Sequence, residues 1–175
     1  MRVAITGATG SLGGALVAAL ARRSPGAWPA GNVERIVAIS RDEVKSGDLA
    51  ERWPDLAPLK CVLADVRDRD RLEEAFYGCD AVIHAAALKR VMQSVYSPGE
   101  LIKTNVLGTI NVIAAATRAG VRRVLVVSSD KAVMPINFYG GTKFLAEQIA
   151  VRSNVYGYPR GTRVSVVRYG NVLGS

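Results

Sequence analysis

The sequence has 175 residues, of which 49% are hydrophobic, and its formal net charge at pH 7 is +8. This length and apolar content predict one globular domain over residues 1–175 and exclude a disordered chain. The Lys and Arg residues are scattered rather than clustered, so we expect no nucleic-acid partner. No stretch reaches the roughly 18 consecutive apolar residues of a membrane span, and no signal peptide precedes the first strand. We therefore expect no membrane partner and a cytoplasmic protein.

Short apolar runs alternate along the chain with longer segments of helical period, which is typical of repeated strand–helix–strand units. The predicted strands are Arg2–Thr6, Glu34–Ile39, Leu59–Ala64, Ala81–His84, Arg123–Ser128 and Arg163–Arg168. The predicted helices are Leu12–Arg23, Asp68–Tyr77, Pro98–Ala119 and Tyr139–Val155, with a Pro- and Gly-rich loop at Ser24–Asn32. The sequence thus predicts an α/β fold with a doubly wound parallel sheet and helices on both faces.

A glycine-rich loop follows the first strand and opens the first helix. Glycine lets the backbone turn sharply and approach a pyrophosphate, whose negative charge is favoured by the N–H groups at a helix start. In this strand–loop–helix context the loop predicts a Rossmann-type dinucleotide site. Its residues are Gly7, Thr9, Gly10, Ser11, Leu12 and Gly13.

The residues after the second strand predict which dinucleotide binds. An acid there bonds the free ribose 2′-hydroxyl of NAD, whereas an arginine accommodates the 2′-phosphate of NADP. Ser40 and Arg41 occupy this position, which favours NADP. Asp42 and Glu43 follow closely and leave NAD as the alternative.

Other polar residues lie at or near predicted strands. Asp65 and Val66 are placed to border the adenine, although Asp65 could equally be a helix N-cap or a loop acid. His84 has no acidic partner beside it, so we expect strand-end packing rather than a metal or a catalytic base. Cys61 and Cys79 have neither a metal-binding spacing nor a disulfide framework and are predicted to be reduced, structural thiols.

Tyr139 and Lys143 are four residues apart on a predicted helix and therefore share one face. A Tyr hydroxyl is a poor base because its pKa is about 10, and a nearby ammonium favours the phenolate. Such a pair can take a proton from an alcohol during hydride transfer, but the same spacing occurs more often on a solvated helix face. The polar run Ser128–Lys131, at the end of the fifth strand, favours the active site, because ligands bind at the carboxyl ends of parallel strands.

These motifs together resemble those of the extended short-chain dehydrogenase/reductases. More narrowly, the chain resembles the inverting UDP-N-acetylglucosamine 4,6-dehydratases of the polysaccharide-biosynthesis family over essentially its whole length. The resemblance is carried by HAAALKRV from His84, IKTNVLGTINV from Ile102, SSDKAVMPINFYGGTK from Ser128 and RYGNVLGS from Arg168. Retaining dehydratases have an Asp-Glu pair where this chain has Asp-Lys. The chain departs from the family at Met92, Val95 and Met134, where Pro, an acid and Asn are usual near the sugar pocket.

The resemblance implies an NADP-dependent dehydratase that acts on a UDP-sugar and inverts carbon 5. Tyr139, its pKa lowered by Lys143, would take the proton of the 4-hydroxyl group, and Ser129 would hydrogen-bond the oxygen on carbon 4. Lys131 would remove the proton from carbon 5, and Asp130 would protonate the departing 6-hydroxyl group. This set makes up the predicted catalytic residues.

The resemblance also assigns supporting residues and an assembly. Ala85, Ala86, Ala87 and Asn105 are implied cofactor contacts, together with Tyr139 and Lys143, while Lys89 and Asn171 are implied substrate contacts. Two alternatives stay open: Asn105 could face solvent, and Lys89 could be a surface charge. The two longest predicted helices are expected to pair in a homo-oligomer.

Two other functions remain open at this point. A sugar-nucleotide epimerase or reductase could use the same Tyr139–Lys143 pair, although neither needs Lys131 as a base unless carbon 5 is itself epimerised. The family continues beyond this sequence into a sugar-binding subdomain, which we expect to be absent. A truncated, non-catalytic NADP-binding protein is therefore the second alternative, and the 175-residue chain is expected to bind NADP with little turnover of UDP-N-acetylglucosamine.

Overall fold

The computed structural model describes residues 1–21, 33–53, 59–89, 96–155 and 161–171. Its six strands are β1 Arg2–Thr6, β2 Arg35–Ser40, β3 Leu59–Leu63, β4 Ala81–His84, β5 Arg123–Ser129 and β6 Arg163–Tyr169. They form one sheet in the order β3-β2-β1-β4-β5-β6, and every neighbouring pair is parallel. The predicted doubly wound sheet is confirmed. The loop predicted at Ser24–Asn32 and the departures at Met92 and Val95 lie outside the described residues.

Helices cover both faces of this sheet. They are α1 Ser11–Ala21, α2 Glu43–Arg52, α3 Arg69–Phe76, α4 Pro98–Leu101, α5 Gly108–Arg118 and α6 Phe138–Ser153, with a π-helical segment at Ile102–Leu107 and a 3₁₀ turn at Asp130–Ala132. One apolar core includes Val17 of α1 and Leu49 of α2, and the other includes Phe76 of α3 and Val112 of α5. Strand residues take part in both cores, so the sheet is packed between them. Cys61 and Cys79 are both free thiols, as predicted.

Two predicted elements are corrected by the structure. The sequence pattern misses α2 because this short helix is mostly polar and buries only Ser46 and Leu49. Asp42 is the N-cap of α2 and accepts a hydrogen bond from the backbone N of Lys45 at 3.0 Å. The single helix predicted at Pro98–Ala119 is wrong, because its path is α4, then the π-helical segment, then α5.

Element ends differ from the prediction by one or two residues. β2 begins and ends one residue later than predicted, β3 ends one residue earlier, and β5 and β6 each extend one residue further. α1 and α6 each begin one residue earlier, and α3 is shorter by one residue at each end. Such differences reflect how hydrogen bonding at an element's end depends on its neighbours.

The strand order places a crevice at the carboxyl edge of the sheet. The chain crosses from β1 outward to β2 and β3, then returns to add β4 on the other side of β1. At such a switch point the loops after β1 and β4 separate and leave room for a ligand. Thr6 and His84 pair in register as the last residues of these two strands.

Candidate active site

Two adjoining cavities, of about 320 and 500 Å³, open along this edge of the sheet. They share Gly7, Gly10, Ala85 and Ala87, so they form one continuous cleft. The first is lined by the predicted residues Gly7, Thr9, Gly10, Ser40, Arg41, Asp65, Val66, Ala85, Ala86 and Ala87. The second is lined by the predicted residues Ser11, Leu12, Gly13, Lys89, Ser129, Lys131, Tyr139, Lys143 and Asn171. Asp130 and Asn105, both within the described part of the chain, line neither cavity.

The glycine loop packs tightly between β1 and the segment after β4. Gly7 has φ +71°, and a Cβ atom there would lie 2.8 Å from the Cα of Ala86. A Cβ on Gly13 would overlap the carbonyl oxygen of Gly7. Glycine at these two positions is therefore required for the loop to hold its shape at the start of α1.

Basic side chains surround the outer end of the first cavity. Arg41 and Lys45 both line it, and the Nζ of Lys45 lies 3.1 Å from a carboxylate oxygen of Asp42. Thr9 and Ser40 line the same cavity, and their hydroxyl groups are hydrogen-bonded to each other at 2.8 Å. Sequence reasoning missed Lys45, whose signal was its place in the first turn of a helix that the pattern did not reveal.

Asp65 lines the same cavity and is held by Arg67. Its carboxylate accepts hydrogen bonds from Arg67 at 2.7 to 3.1 Å, and Arg41 lies 4.0 Å away. Burial alone would raise the pKa of Asp65, but the hydrogen bonds from Arg67 bring it below its ordinary value. Asp65 is thus a charged border of the cavity, and the alternative of a helix N-cap is wrong because Asp68 caps α3.

The polar run after β5 gathers at the mouth of the second cavity. Ser129 donates a hydrogen bond to Asp130 at 2.8 Å, and the Nζ of Lys131 donates to Asp130 at 3.1 Å and to Asn171 at 2.8 Å. The bond from Lys131 is the main reason that the pKa of Asp130 lies below its ordinary value. Asp130 and Lys131 are therefore an ion pair that bridges β5 and the end of β6.

Tyr139 and Lys143 lie one turn apart on α6 and both are buried, with relative exposures of 9% and 5%. The Nζ of Lys143 donates to the carbonyl oxygen of Val127 at 2.7 Å. Burial lowers the pKa of Lys143 to about 8, partly opposed by the negative charge of Glu147. Glu147 is itself buried and receives a two-pronged hydrogen bond from Arg168 at 2.8 and 2.7 Å. The alternative of a solvated helix face is wrong.

The expected effect of Lys143 on Tyr139 is not found in the chain alone. Burial raises the pKa of Tyr139, and the negative charge of Asp130 adds to the increase. The Nζ of Lys143 donates to the carbonyl oxygen of Val127 on β5, and the group that lowers the pKa of Tyr139 is the hydroxyl of Ser129, which does not outweigh burial.

Asn105 is buried rather than exposed to solvent, with a relative exposure of 1%. Its amide nitrogen donates to the carbonyl of Leu88 at 2.9 Å and to the hydroxyl of Thr142 at 3.0 Å. Its amide oxygen accepts from the backbone N of Leu88 at 2.8 Å. Asn105 thus holds the segment after β4 through Leu88, and its contact with the cofactor stays a prediction.

Thr104 is a further residue that sequence reasoning missed. It lines the first cavity, and within the described ranges its buried hydroxyl group has no hydrogen-bond partner. A buried hydroxyl without a partner costs free energy unless a ligand or water satisfies it. No motif or spacing in the sequence distinguishes Thr104 from an ordinary helix residue.

Comparison with known proteins agrees with this geometry. Residues 3–175 match the family described as polysaccharide biosynthesis protein. The chain belongs to this family. The family resemblance inferred from the sequence motifs is therefore confirmed.

Two relatives are similar to this protein over nearly its whole chain. The inverting UDP-N-acetylglucosamine 4,6-dehydratase of Campylobacter jejuni is 40% identical over 174 residues, which are 99% of this chain and 49% of that protein. The UDP-glucose 4-epimerase of Rickettsia massiliae is 41% identical over 171 residues, which are 98% of this chain and 49% of that protein. The chain thus spans about half the length of these relatives.

A solved structure extends the comparison to a bound cofactor. A dTDP-glucose 4,6-dehydratase of Streptomyces venezuelae, a double mutant solved with NAD, superposes with a TM-score of 0.83 at 25% identity. The match covers 96% of this chain and 55% of that one. In the part of this chain that the structure describes, no helix has the length and apolar character needed to cross a bilayer.

Proposed function

We propose that this family member is the nucleotide-binding part of an NADP-dependent 4,6-dehydratase that acts on a UDP-sugar, with UDP-N-acetylglucosamine as the substrate. One observation carries the proposal: Lys131, which is paired with Asp130, lines the same cavity as the buried Tyr139 and Lys143. When a nicotinamide cofactor oxidises an alcohol, a Tyr–Lys pair is sufficient to take the hydroxyl proton. Removal of water also needs a base for carbon 5 and an acid for the leaving hydroxyl group. The similarity to the Campylobacter dehydratase supports this assignment.

The cleft fits a dinucleotide in its shape and its polar groups. The loop from Gly7 to Gly13 would hold the pyrophosphate at the start of α1, where a Cβ would fill the space that the backbone needs. The unpartnered hydroxyl of Thr104 would gain a hydrogen bond in the first cavity. NADP held there in its oxidised form would supply a hydride acceptor for carbon 4 of the sugar and a hydride donor for carbon 6, so that the net reaction would be loss of water.

Two cations favour NADP over NAD. Arg41 and Lys45 line the outer end of the first cavity, where they would pair with a 2′-phosphate. Of the two acids that kept NAD open as an alternative, Asp42 is the N-cap of α2 and Glu43 lies in its first turn. The cytoplasmic location and the UDP-sugar remain parts of the same proposal.

Tyr139 takes the proton of the 4-hydroxyl group in this mechanism. Because burial raises the pKa of Tyr139, the phenolate needs a positive charge nearby. Lys143 supplies that charge one turn along α6. Ser129, which lines the same cavity, would donate to the oxygen on carbon 4 as its charge develops.

The Lys131–Asp130 pair supplies a base and an acid together. A shift of one proton across their 3.1 Å hydrogen bond leaves a neutral Lys131 and a protonated Asp130 without changing the net charge. The mechanism requires this neutral state at the moment when carbon 5 loses its proton. Lys131 then removes the proton from carbon 5, and Asp130 protonates the 6-hydroxyl group as it leaves as water. When carbon 6 has regained its hydride, a proton from solvent is added to carbon 5 on the opposite face, which inverts that carbon.

Isotope exchange at carbon 5 tests this assignment. In the full-length protein incubated with UDP-N-acetylglucosamine in deuterated water, we expect Lys131→Ala to abolish exchange of the carbon-5 hydrogen. NADP binding should stay at the parental level, and Lys103→Ala, an exposed lysine outside the cleft, should exchange normally. Exchange at the parental rate in Lys131→Ala would mean that another residue is the base.

An epimerase is the second candidate function, because the Rickettsia epimerase is as similar to this chain as the dehydratase is. An epimerase acting at carbon 4 uses the Tyr139–Lys143 pair and leaves the carbon-5 hydrogen in place. The same exchange experiment therefore distinguishes the two functions. A product isomeric with the substrate and free of deuterium would establish the epimerase.

A further inference from the structure

A buried chain of hydrogen bonds runs behind the cleft and joins five elements. The hydroxyl of Thr6 at the end of β1 lies 2.7 Å from the Nδ1 of His84 at the end of β4. The Nε2 of His84 lies 3.1 Å from the hydroxyl of Thr109 on α5. Thr109 reaches the carbonyl of Asn105 at 2.7 Å, and Asn105 reaches Thr142 on α6.

The donor and acceptor of each hydrogen bond around His84 can be assigned by starting from the carbonyl oxygen of Asn105. A carbonyl oxygen can only accept, so Thr109 spends its one hydrogen on Asn105 and can only accept from His84. His84 must therefore carry its proton on Nε2. Its Nδ1 is then an acceptor, to which the hydroxyl of Thr6 donates. The oxygen of Thr6 remains free to accept from the backbone N of Ala86 at 3.4 Å.

The segment Ala85–Lys89 is held by this chain at both ends. Thr6 accepts from Ala86 near its start, and Asn105 bonds both backbone groups of Leu88 near its end. Residues of this segment line both cavities. At the far end of the chain, Thr142 donates to the carbonyl of Tyr139 at 2.7 Å.

We infer that His84, fixed as the neutral Nε2–H tautomer, is a positioning residue that sets the cofactor-facing segment Ala85–Lys89 against the π-helical segment and α6. The role in cofactor binding rests on the proposed function, while the tautomer does not. His84 lines neither of the two cavities of the cleft and is not a catalytic residue.

The surroundings of His84 keep the ring neutral. It is 2% exposed, and the threonines that face it from β1 and α5 do not titrate. Burial, aided by the positive charge of Lys143 on α6, lowers the pKa of His84 to about 3. A second ring proton would also meet the oxygen of Thr6, which donates its own hydrogen toward Nδ1.

Nuclear magnetic resonance can read the tautomer directly, because His84 is the single histidine in the sequence. A tag-free chain labelled with ¹⁵N-histidine gives one pair of ring-nitrogen signals. We expect the neutral Nε2–H pattern, unchanged between about pH 5 and 8, where an ordinary histidine titrates. An Nδ1–H pattern, or titration within that range, overturns the inference without touching the proposed function.

Substitution of Thr109 tests the positioning role. Thr109→Val keeps the shape but leaves the Nε2–H group without its acceptor, whereas Thr109→Ser keeps the hydroxyl. We expect NADP affinity, measured by calorimetry, to fall about tenfold in Thr109→Val and to remain near the parental value in Thr109→Ser.

The outcomes separate the inference from the proposed function. Parental NADP affinity in Thr109→Val overturns the positioning role, as does an equal loss in both variants. Absence of NADP binding in the parent contradicts the proposed cofactor while leaving the tautomer to be read. If Thr109→Val does not fold, the affinity of Thr109→Ser and the tautomer of the parent still decide the question.

Discussion

Arg41 is the residue on which the choice of NADP depends most. It lies half exposed at the outer end of the first cavity, with Asp65 4.0 Å away and Lys45 on the same wall. A charge-assisted contact to a 2′-phosphate is worth roughly 1.5–3 kcal/mol. We expect Arg41→Ala to weaken NADP binding by about tenfold to a hundredfold and to leave NAD binding nearly unchanged.

Calorimetry with both cofactors measures this difference in a single variant. Lys45→Ala should show a smaller loss in the same direction, and Arg69→Ala, whose side chain pairs with Asp70 on α3, is the matched control. Equal losses for NADP and NAD in Arg41→Ala would contradict the 2′-phosphate contact.

The buried ammonium of Lys143 is expected to lower the free energy of unfolding. Lowering its pKa from 10.5 to about 8 corresponds to about 3 kcal/mol, partly offset by the hydrogen bond to Val127. We therefore expect the free energy of unfolding at pH 7, measured by urea denaturation, to be about 2 kcal/mol higher for Lys143→Met than for the parent. Such a cost is typical of a residue retained for function.

The pH dependence of that difference follows from the two protonation states. Below pH 8 the lysine is charged in both the folded and the unfolded chain, so the full penalty is present. Between about pH 8 and 10.5 the unfolded chain binds more protons, and the stability of the parent rises with pH. The advantage of Lys143→Met should therefore shrink toward pH 10, and an advantage independent of pH would contradict the buried charge.

At the level of elements, the 3₁₀ turn Asp130–Ala132 packs directly against the start of α6. A Cβ on Gly140 would overlap the carbonyl oxygen of Lys131 and lie 3.1 Å from the Cβ of Pro135. We expect Gly140→Ala to push the turn away from α6, lowering the free energy of unfolding by about 1–3 kcal/mol and moving Lys131 relative to Tyr139.

The neighbouring glycine provides the control. A Cβ on Gly141 meets nothing within 4 Å, so Gly141→Ala should be stabilising by up to about 1 kcal/mol through helix propensity. Urea denaturation of both variants, with product formation by the full-length protein, measures the two effects. Equal stability of the two variants would show that the turn is free to move.

Elements with strong apolar periodicity could be predicted from the sequence, whereas others could not. The six strands are short, mostly apolar runs, so their existence was clear even where their ends were not. Helix α2 buries only two residues, and its Asp42 cap looked instead like a ribose-binding acid. The π-helical segment has the composition of an ordinary helix, and only its packing shows the different hydrogen bonding.

The candidate site shows the same division between local and spatial information. The i, i+4 spacing of Tyr139 and Lys143 was sufficient to place both on one face of α6. The direction of the Tyr139 pKa shift was not predictable, because it depends on burial by segments distant in sequence. The burial of Asn105 was not predictable for the same reason, since its partner Leu88 comes from the segment after β4.

At the scale of the whole molecule, exposed apolar side chains predict self-association. Ile102, Leu107, Ile110, Phe144 and Leu145 are each exposed by 39% to 50% on the π-helical segment, α5 and α6. We expect a homodimer or larger even oligomer at micromolar concentration, and Phe144→Glu should shift it toward monomer. Light scattering measures this, with Val44→Glu on α2 as the exposed control, and a monomeric parent would contradict the prediction.

The central claim is that the whole protein removes water from a UDP-sugar rather than inverting its carbon 4. The most direct measurement is the mass spectrum of the product that the full-length protein forms from UDP-N-acetylglucosamine with NADP in deuterated water. We predict a product that has lost one water molecule and carries deuterium at carbon 5, because Lys131 removes the original hydrogen as a proton and solvent supplies its replacement. A product with the mass of the substrate and no deuterium at carbon 5 would contradict this account.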